Sequence, residues 1–291
     1  MIKSGHINDC WSAYRYGSRI KIIYHKRGRL SQNAFKKSKR LKYLEQLEDE
    51  RVKYWAPHDI DGEITPWGEA YDILEERKKA RLSQSVTRTR GKIFEIALCN
   101  SFEWFCTLTL DSSKVDRNDL SSARKAISQF IRDENKKRTE AQKIEYLIIP
   151  ERHENGAWHF HGLFKGLVKG QDLTRNEHGY LDWNGYRRRF GFFSCSRIKS
   201  QEACSRYITK YVTKGLNSDS AKATNLEAGQ HSYFASQGLK RREVIEKLSS
   251  EKIGFFDPEM SENWSFENDY IKIAWLTIDP ETGVLTLDNN K

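Results

Sequence analysis

Two largely apolar stretches, "KIEYLIIP" (143–150) and "WHFHGLF" (158–164), are joined by a short polar link containing "ENG". Glycine accepts the left-handed backbone that closes a hairpin, and three-residue loops of this kind are common. Strand, turn and strand in so short a space dictate an antiparallel pair. Such a pair in turn fixes which side chains share a face. This feature constrains the chain most, because it selects an antiparallel sheet over a parallel nucleotide-binding fold. The sequence also has no GxxxxGK[ST] motif and no GxGxxG motif opening a helix.

The elements around the hairpin follow from periodicity. "FEWFCTLTLD" (102–111) alternates and is rich in aromatic and β-branched residues, so it reads as a strand. "DLSSARKAISQFIRDENKKR" places Leu120, Ala123, Ile127, Phe130 and Ile131 on one helical face. "SVTRTRGKIFEIALCN" (85–100) reads as a helix with Ser85 as N-cap and Asn100 as its stop. "FGFFSCSRI" is another strand, and "HSYFASQGLKR" and "YIKIAWLTID" are strand candidates. Residues 169–190 read as a loop, with Gly179, Gly185 and the run Arg187-Arg188-Arg189. The order predicts an α+β domain with a central antiparallel sheet of about five strands and helices on one face.

The domain spans residues 85–240, flanked by a basic N-terminal accessory region, 1–84, and a C-terminal extension, 241–291. The N-terminal region reads as a helical appendage, through "KKSKRLKYLEQLEDERVKYW" and "PWGEAYDILEERKKARL". Its "YHKRGR" and "KKSKRLK" are expected to contact duplex phosphate. The net charge of +10 favours polyanionic partners. Five scattered cysteines without a CxxC pair argue for free thiols in a reducing cytoplasm. No apolar run is long enough to cross a membrane, and the N-terminus lacks the apolar core of a secretory signal.

In the hairpin, His159 and His161 lie two apart on a strand and share a face. A two-residue Asn-Gly loop would put Arg152 opposite His159, a cation beside a metal site. A three-residue loop, Glu154-Asn155-Gly156, puts Glu151 there instead and is favoured. The candidate metal ligands are then His159, His161 and Glu151, with His153 as a second candidate for the third ligand. On an exposed sheet face, this mixed set suits Mg²⁺ or Mn²⁺ with open positions for a phosphoryl oxygen.

A second motif, "YITKYVTKG" (207–215), repeats Tyr and Lys at a spacing of four. On a helix capped by Ser200, Tyr207 and Tyr211 share one face, as do Lys210 and Lys214. A phenol with a pKa of about 10 is a weak nucleophile at neutral pH. Lys210 and Lys214 would help stabilise the phenolate or the phosphorane. Two tyrosines on one face can attack a phosphodiester in turn; alternatively, one is catalytic and the other a packed neighbour.

These residues resemble those of the HUH endonucleases, specifically the rolling-circle replication initiators of single-stranded DNA phages and plasmids. "FCTLTLD" resembles the family's first motif, "WHFHGLF" its His-hydrophobe-His motif, and "YITKYVTK" its tyrosine motif in the two-tyrosine form. The resemblance implies an RRM-like sheet with His159 and His161 as metal ligands and Glu151 as the third. It also implies Tyr207 and Tyr211 as nucleophiles that nick one strand at an origin. The enzyme would stay on the 5′ phosphate and leave a 3′ hydroxyl for a polymerase. Implied partners are single-stranded and origin DNA, a host helicase and a host polymerase, in the cytoplasm of a bacterial cell. Rival readings are an HUH transposase or relaxase, and a non-catalytic RRM-like module. The latter would stack bases on Phe102, Trp104, Phe105, Phe192 and Phe193.

Overall fold

A computed structural model of the chain describes residues 11–26, 85–153, 155–213, 231–245, 264–268 and 271–288. These fall into two compact units, one within Met1–Lys79 and Glu243–Lys291, the other within Ala80–Arg242. The first unit opens with a hairpin of β1 (Trp11–Tyr16) and β2 (Arg19–His25), turning at Gly17 with φ 61°.

The second unit begins with helix α1, residues 85–99. Ser85 is itself helical, so it is not the N-cap. Asn100 does stop the helix, with Nδ2 donating to Ile96 O at 2.8 Å. Then come β3 (Trp104–Thr109), α2 (Leu120–Asn135), β4 (Glu145–Arg152) and β5 (Trp158–Lys165). They are followed by β6 (Leu173–Arg175), β7 (Leu181–Trp183), α3 (Asn184–Arg189) and β8 (Phe193–Arg197). Last are α4 (Gln201–Ile208), α5 (Lys210–Thr213) and β9 (Phe234–Ala235). The strands form an antiparallel sheet in the order β6-β7-β8-β3-β5-β4-β9.

The α+β class with a central antiparallel sheet is as read from the sequence. Two details differ. The expected loop 169–190 contains β6, β7 and α3, because Leu173, Trp183 and Tyr186 are buried in the core despite their polar setting. Helices also cover both faces of the sheet. On one face Cys106, Leu108, Ile148, Phe160 and Phe164 pack against Leu120, Ala123, Ile127, Phe130 and Ile131 of α2. Asp119 caps α2 by accepting from Ser122 N at 3.0 Å. On the other face Leu147, Ile149 and Leu163 pack against Ile93, Ile96 and Ala97 of α1 and Ile208 of α4. Burying each large side chain contributes about 1.5–3 kcal/mol.

The first unit is completed by β10 (Glu243–Ile245), β11 (Phe266–Glu267), β12 (Ile271–Ile278) and β13 (Leu285–Leu287). Its sheet runs β10-β1-β2-β12-β11, with β13 also on β12. Residues 11–26 are therefore strand, not helical appendage, and share one sheet with the C-terminal extension. The reason is a long-range pairing: Ile20 and Ile22 stand opposite Leu276 and Ala274, and Ile20, Ile22 and Leu276 form a core of their own. Lys26 of "YHKRGR" is held by Glu267 at 2.6 Å. The helices expected across 36–55 and 66–82 lie outside the described residues.

Candidate active site

The link between β4 and β5 takes the three-residue form. His153 N donates to Ala157 O and Gly156 N to His153 O, both at 2.9 Å, and Gly156 has φ 84°. The register then sets Glu151 opposite His159 and Ile149 opposite His161, while β3 sets Thr109 opposite His159 and Thr107 opposite His161. Glu151, His159, His161, Thr107 and Phe105 therefore share the face on which α1 and α4 pack.

On that face the side chains are tightly engaged, and the histidines are not exposed as expected. His161 is 9% exposed and Glu151 7%. In the neutral ring, His161 Nε2–H donates to Glu151 Oε2 at 2.7 Å, and Thr107 Oγ1 stands 3.5 Å from Nδ1. The opposite ring face of His161 is taken by Tyr211, with centroids 3.6 Å apart and planes 15° from parallel. His159 lies against His153 at 3.9 Å. Burial pushes the His159 imidazole down to about 4, aided by the His153 and His161 rings, with Glu151 opposing the shift. His159 is therefore neutral at pH 7 and keeps a lone pair for a ligand.

The tyrosine doublet spans two short helices rather than one. Ser200 caps α4 by accepting from Ala203 N at 3.2 Å. After Ile208 the buried Thr209 turns its hydroxyl back to Arg206 O at 2.7 Å, and α5 starts at Lys210. The two phenols still meet: Tyr211 OH donates to Tyr207 OH at 3.0 Å, with ring centroids 5.6 Å apart. Phe105 supports both rings, at 5.5 Å from Tyr207 and 6.4 Å from Tyr211. Tyr207 is 46% exposed, whereas burial and the bond to Tyr207 push the Tyr211 phenol well above its ordinary value. Lys210 Nζ lies 5.4 Å from the centre of the Tyr207 ring. Lys214 lies outside the described residues.

The donor chemistry of Glu151 and His161 fits a divalent cation, since a carboxylate oxygen and a ring nitrogen already converge on one proton. The third donor is not in place. His159 is turned onto His153, and among the described residues no group of three or more His, Cys, Asp or Glu side chains is arranged to hold a metal ion. Phe105 and Thr107 were not singled out for these supporting roles by the sequence. Their signal was alternation within "FCTLTLD", which puts both on the histidine face. Of the aromatics that a purely binding sheet would offer, Phe102, Trp104 and Phe193 are buried.

Residues 103–216 match the family model of the replication-associated proteins of the ORF2 group. The matched span is less than half of the chain. It contains β3, the hairpin with its two histidines, and the tyrosine doublet. No curated protein and no solved structure matches the chain. Among the described residues no helix is long and apolar enough to cross a membrane.

Proposed function

We propose that the chain is a rolling-circle replication initiator: a metal-dependent, site-specific single-strand DNA endonuclease and strand transferase. The observation that carries this reading is the contact of the two phenol hydroxyls, at 3.0 Å, directly over the Glu151–His161 pair. The match to replication-associated proteins supports the same reading.

Each residue has a task. Glu151 and His161 would hold Mg²⁺ or Mn²⁺, with His159 completing the set once its ring leaves His153. The bound cation supplies polarisation of a phosphoryl oxygen. Tyr207, the more exposed phenol, releases its proton to solvent, and the hydrogen bond from Tyr211 stabilises its oxyanion. That oxygen attacks the phosphorus, the bond to the 3′ oxygen breaks, and the leaving oxygen takes up a proton to become the 3′ hydroxyl. The 5′ phosphate stays on Tyr207. Lys210 adds positive charge beside the developing phosphorane. Tyr211, one turn away, can then attack a second bond without release of the first strand. Origin DNA is the substrate, and a host helicase and polymerase are the expected partners.

The test is capture of a covalent adduct on single-stranded origin oligonucleotide with Mn²⁺, followed by mass spectrometry of the modified peptide. An adduct on Tyr207 or Tyr211 is expected. Cleavage without any tyrosine adduct would overturn the reading in favour of an ordinary hydrolytic nuclease.

A further inference from the structure

The end of the sheet that carries His159 also presents two groups that this reaction does not use. Gly191 has φ 138°, and a Cβ built there would lie 2.6 Å from Thr109 O and 2.7 Å from Asp111 N. Only glycine lets the chain run this close to the end of β3. The ladder continues around it, with Thr109 N donating to Phe192 O at 2.8 Å and Asp111 N to Phe190 O at 2.7 Å. Thr109 thus stands between Phe192 on one side and His159 on the other. The pleat places Phe192, Thr109 and His159 in one row on one face. Phe192 is 41% exposed, while Phe190 and Phe193 beside it are buried in the core.

The second group is Arg117. Its loop is fixed from within: Ser113 N and Oγ donate to Asp111 Oδ1 at 2.9 and 2.8 Å, and Asn118 N donates to Asp116 Oδ1 at 2.8 Å. Trp158 ties the loop to the hairpin, donating from its backbone N to Arg117 O at 2.8 Å and from Nε1 to Asn118 O at 3.1 Å. Arg117 is therefore held beside the residue that precedes His159, and its charge acts on both His159 and Asp111. The ion pair of Asp111 goes to Lys114, at 3.8 Å. Among the described residues no hydrogen bond or ion pair engages the Arg117 guanidinium.

We propose that Phe192 and Arg117 form a nucleotide subsite for single-stranded DNA, the phenyl ring stacking on a base and the guanidinium taking a phosphate. The proposal rests on the reading that a DNA strand crosses this face. Phe192 and His159 lie two strand spacings apart, roughly 9.5 Å. The stacked base therefore belongs to a nucleotide beside the bond that is cut, not to the scissile phosphate itself. Every base has a π face, so the subsite contributes affinity and position more than sequence choice.

The test is binding of fluorescein-labelled oligothymidylate by anisotropy, in chelator so that binding is read apart from cleavage. Phe192→Ala should weaken binding by about tenfold, within the range of base–aromatic stacking, and Phe192→Trp should keep the affinity. Arg117→Gln should lower the slope of log affinity against log salt by about 0.7, the share of one phosphate contact on a single strand. Arg117→Lys should keep that slope. Phe192→Ala binding within twofold of wild type, an equal loss in folded Phe192→Trp, or an unchanged slope in Arg117→Gln would each overturn the subsite. If the expected losses appear but wild type with Mn²⁺ forms no adduct, the subsite stands and the nicking reading falls. If wild type forms the adduct and the losses are absent, the subsite alone falls.

Discussion

The Tyr211 ring lies flat on the His161 imidazole, with centroids 3.6 Å apart and planes 15° from parallel. The same imidazole donates to Glu151. One side chain therefore links the candidate metal-binding pair to the tyrosine pair. This contact also gives the two tyrosines unequal surroundings: Tyr211 is packed and its hydroxyl donates, while Tyr207 is open and its hydroxyl accepts.

The order of attack follows from that inequality. A donated hydrogen bond stabilises the Tyr207 oxyanion, and burial resists formation of one at Tyr211. Tyr207→Phe is expected to lose most of the first adduct. Tyr211→Phe should still form it, about fivefold more slowly, the worth of one neutral hydrogen bond at roughly 1 kcal/mol. Denaturing gels of labelled oligonucleotide would check this. A dead Tyr211→Phe beside a normal Tyr207→Phe would reverse the order.

Glu151→Gln keeps the shape of the side chain and its acceptor but removes the charge. A change in a ligand of this kind is expected to cost roughly 10–100-fold in metal affinity. Nicking should then require more Mn²⁺ and recover at high Mn²⁺. A variant with an unchanged metal titration would remove Glu151 from the ligand set. Because His161 is buried under Tyr211, His161→Ala also removes packing, so its loss of activity should be judged beside its urea midpoint.

The His159 shift has a stability consequence in metal-free protein. Its folded value of about 4 lies below the ordinary value of 6.5. Between those values the unfolded chain binds a proton that the folded chain refuses, so acid favours unfolding. The urea midpoint should fall as pH drops from 6.5 towards 4, and His159→Gln should flatten that part of the curve. An unchanged profile in the variant would assign the acid sensitivity to other groups.

Local patterns were legible in the sequence where short-range chemistry set the outcome. The Glu151–His159 register followed from the "ENG" loop and from keeping Arg152 away from the histidines. The buried face of α2 followed from helical spacing, residue for residue. What was not legible depends on distant partners. The "RIKIIYH" stretch looked like a basic tail because its strand partner, "IKIAWLTI", comes some 250 residues later. The burial of His161 was invisible for the same reason, since its cover is the helix pair that carries Tyr211. Phe192 and Phe193 read alike in sequence; the close passage at Gly191 and the pleat of β8 separate them.

That long-range pairing makes the effect of truncation specific. A chain starting at Ser85 would keep β12 but lose β2, leaving Ala274, Leu276 and an unpaired strand edge open. Open apolar edges are templates for aggregation. The 85–291 fragment is therefore expected to be poorly soluble, whatever the fate of its nicking chemistry. A fragment of residues 80–242 removes both halves of the first sheet together and keeps Glu151, His159, His161, Tyr207 and Tyr211. It should be soluble, unfold cooperatively in urea and form the tyrosine adduct on single-stranded oligonucleotide. Within it, Ile127→Ala should cost about 2–5 kcal/mol, as for other large-to-small core changes. Solubility measured side by side for the two fragments checks the pairing. A well-behaved 85–291 fragment beside an insoluble 80–242 fragment would show that the division between the units lies elsewhere.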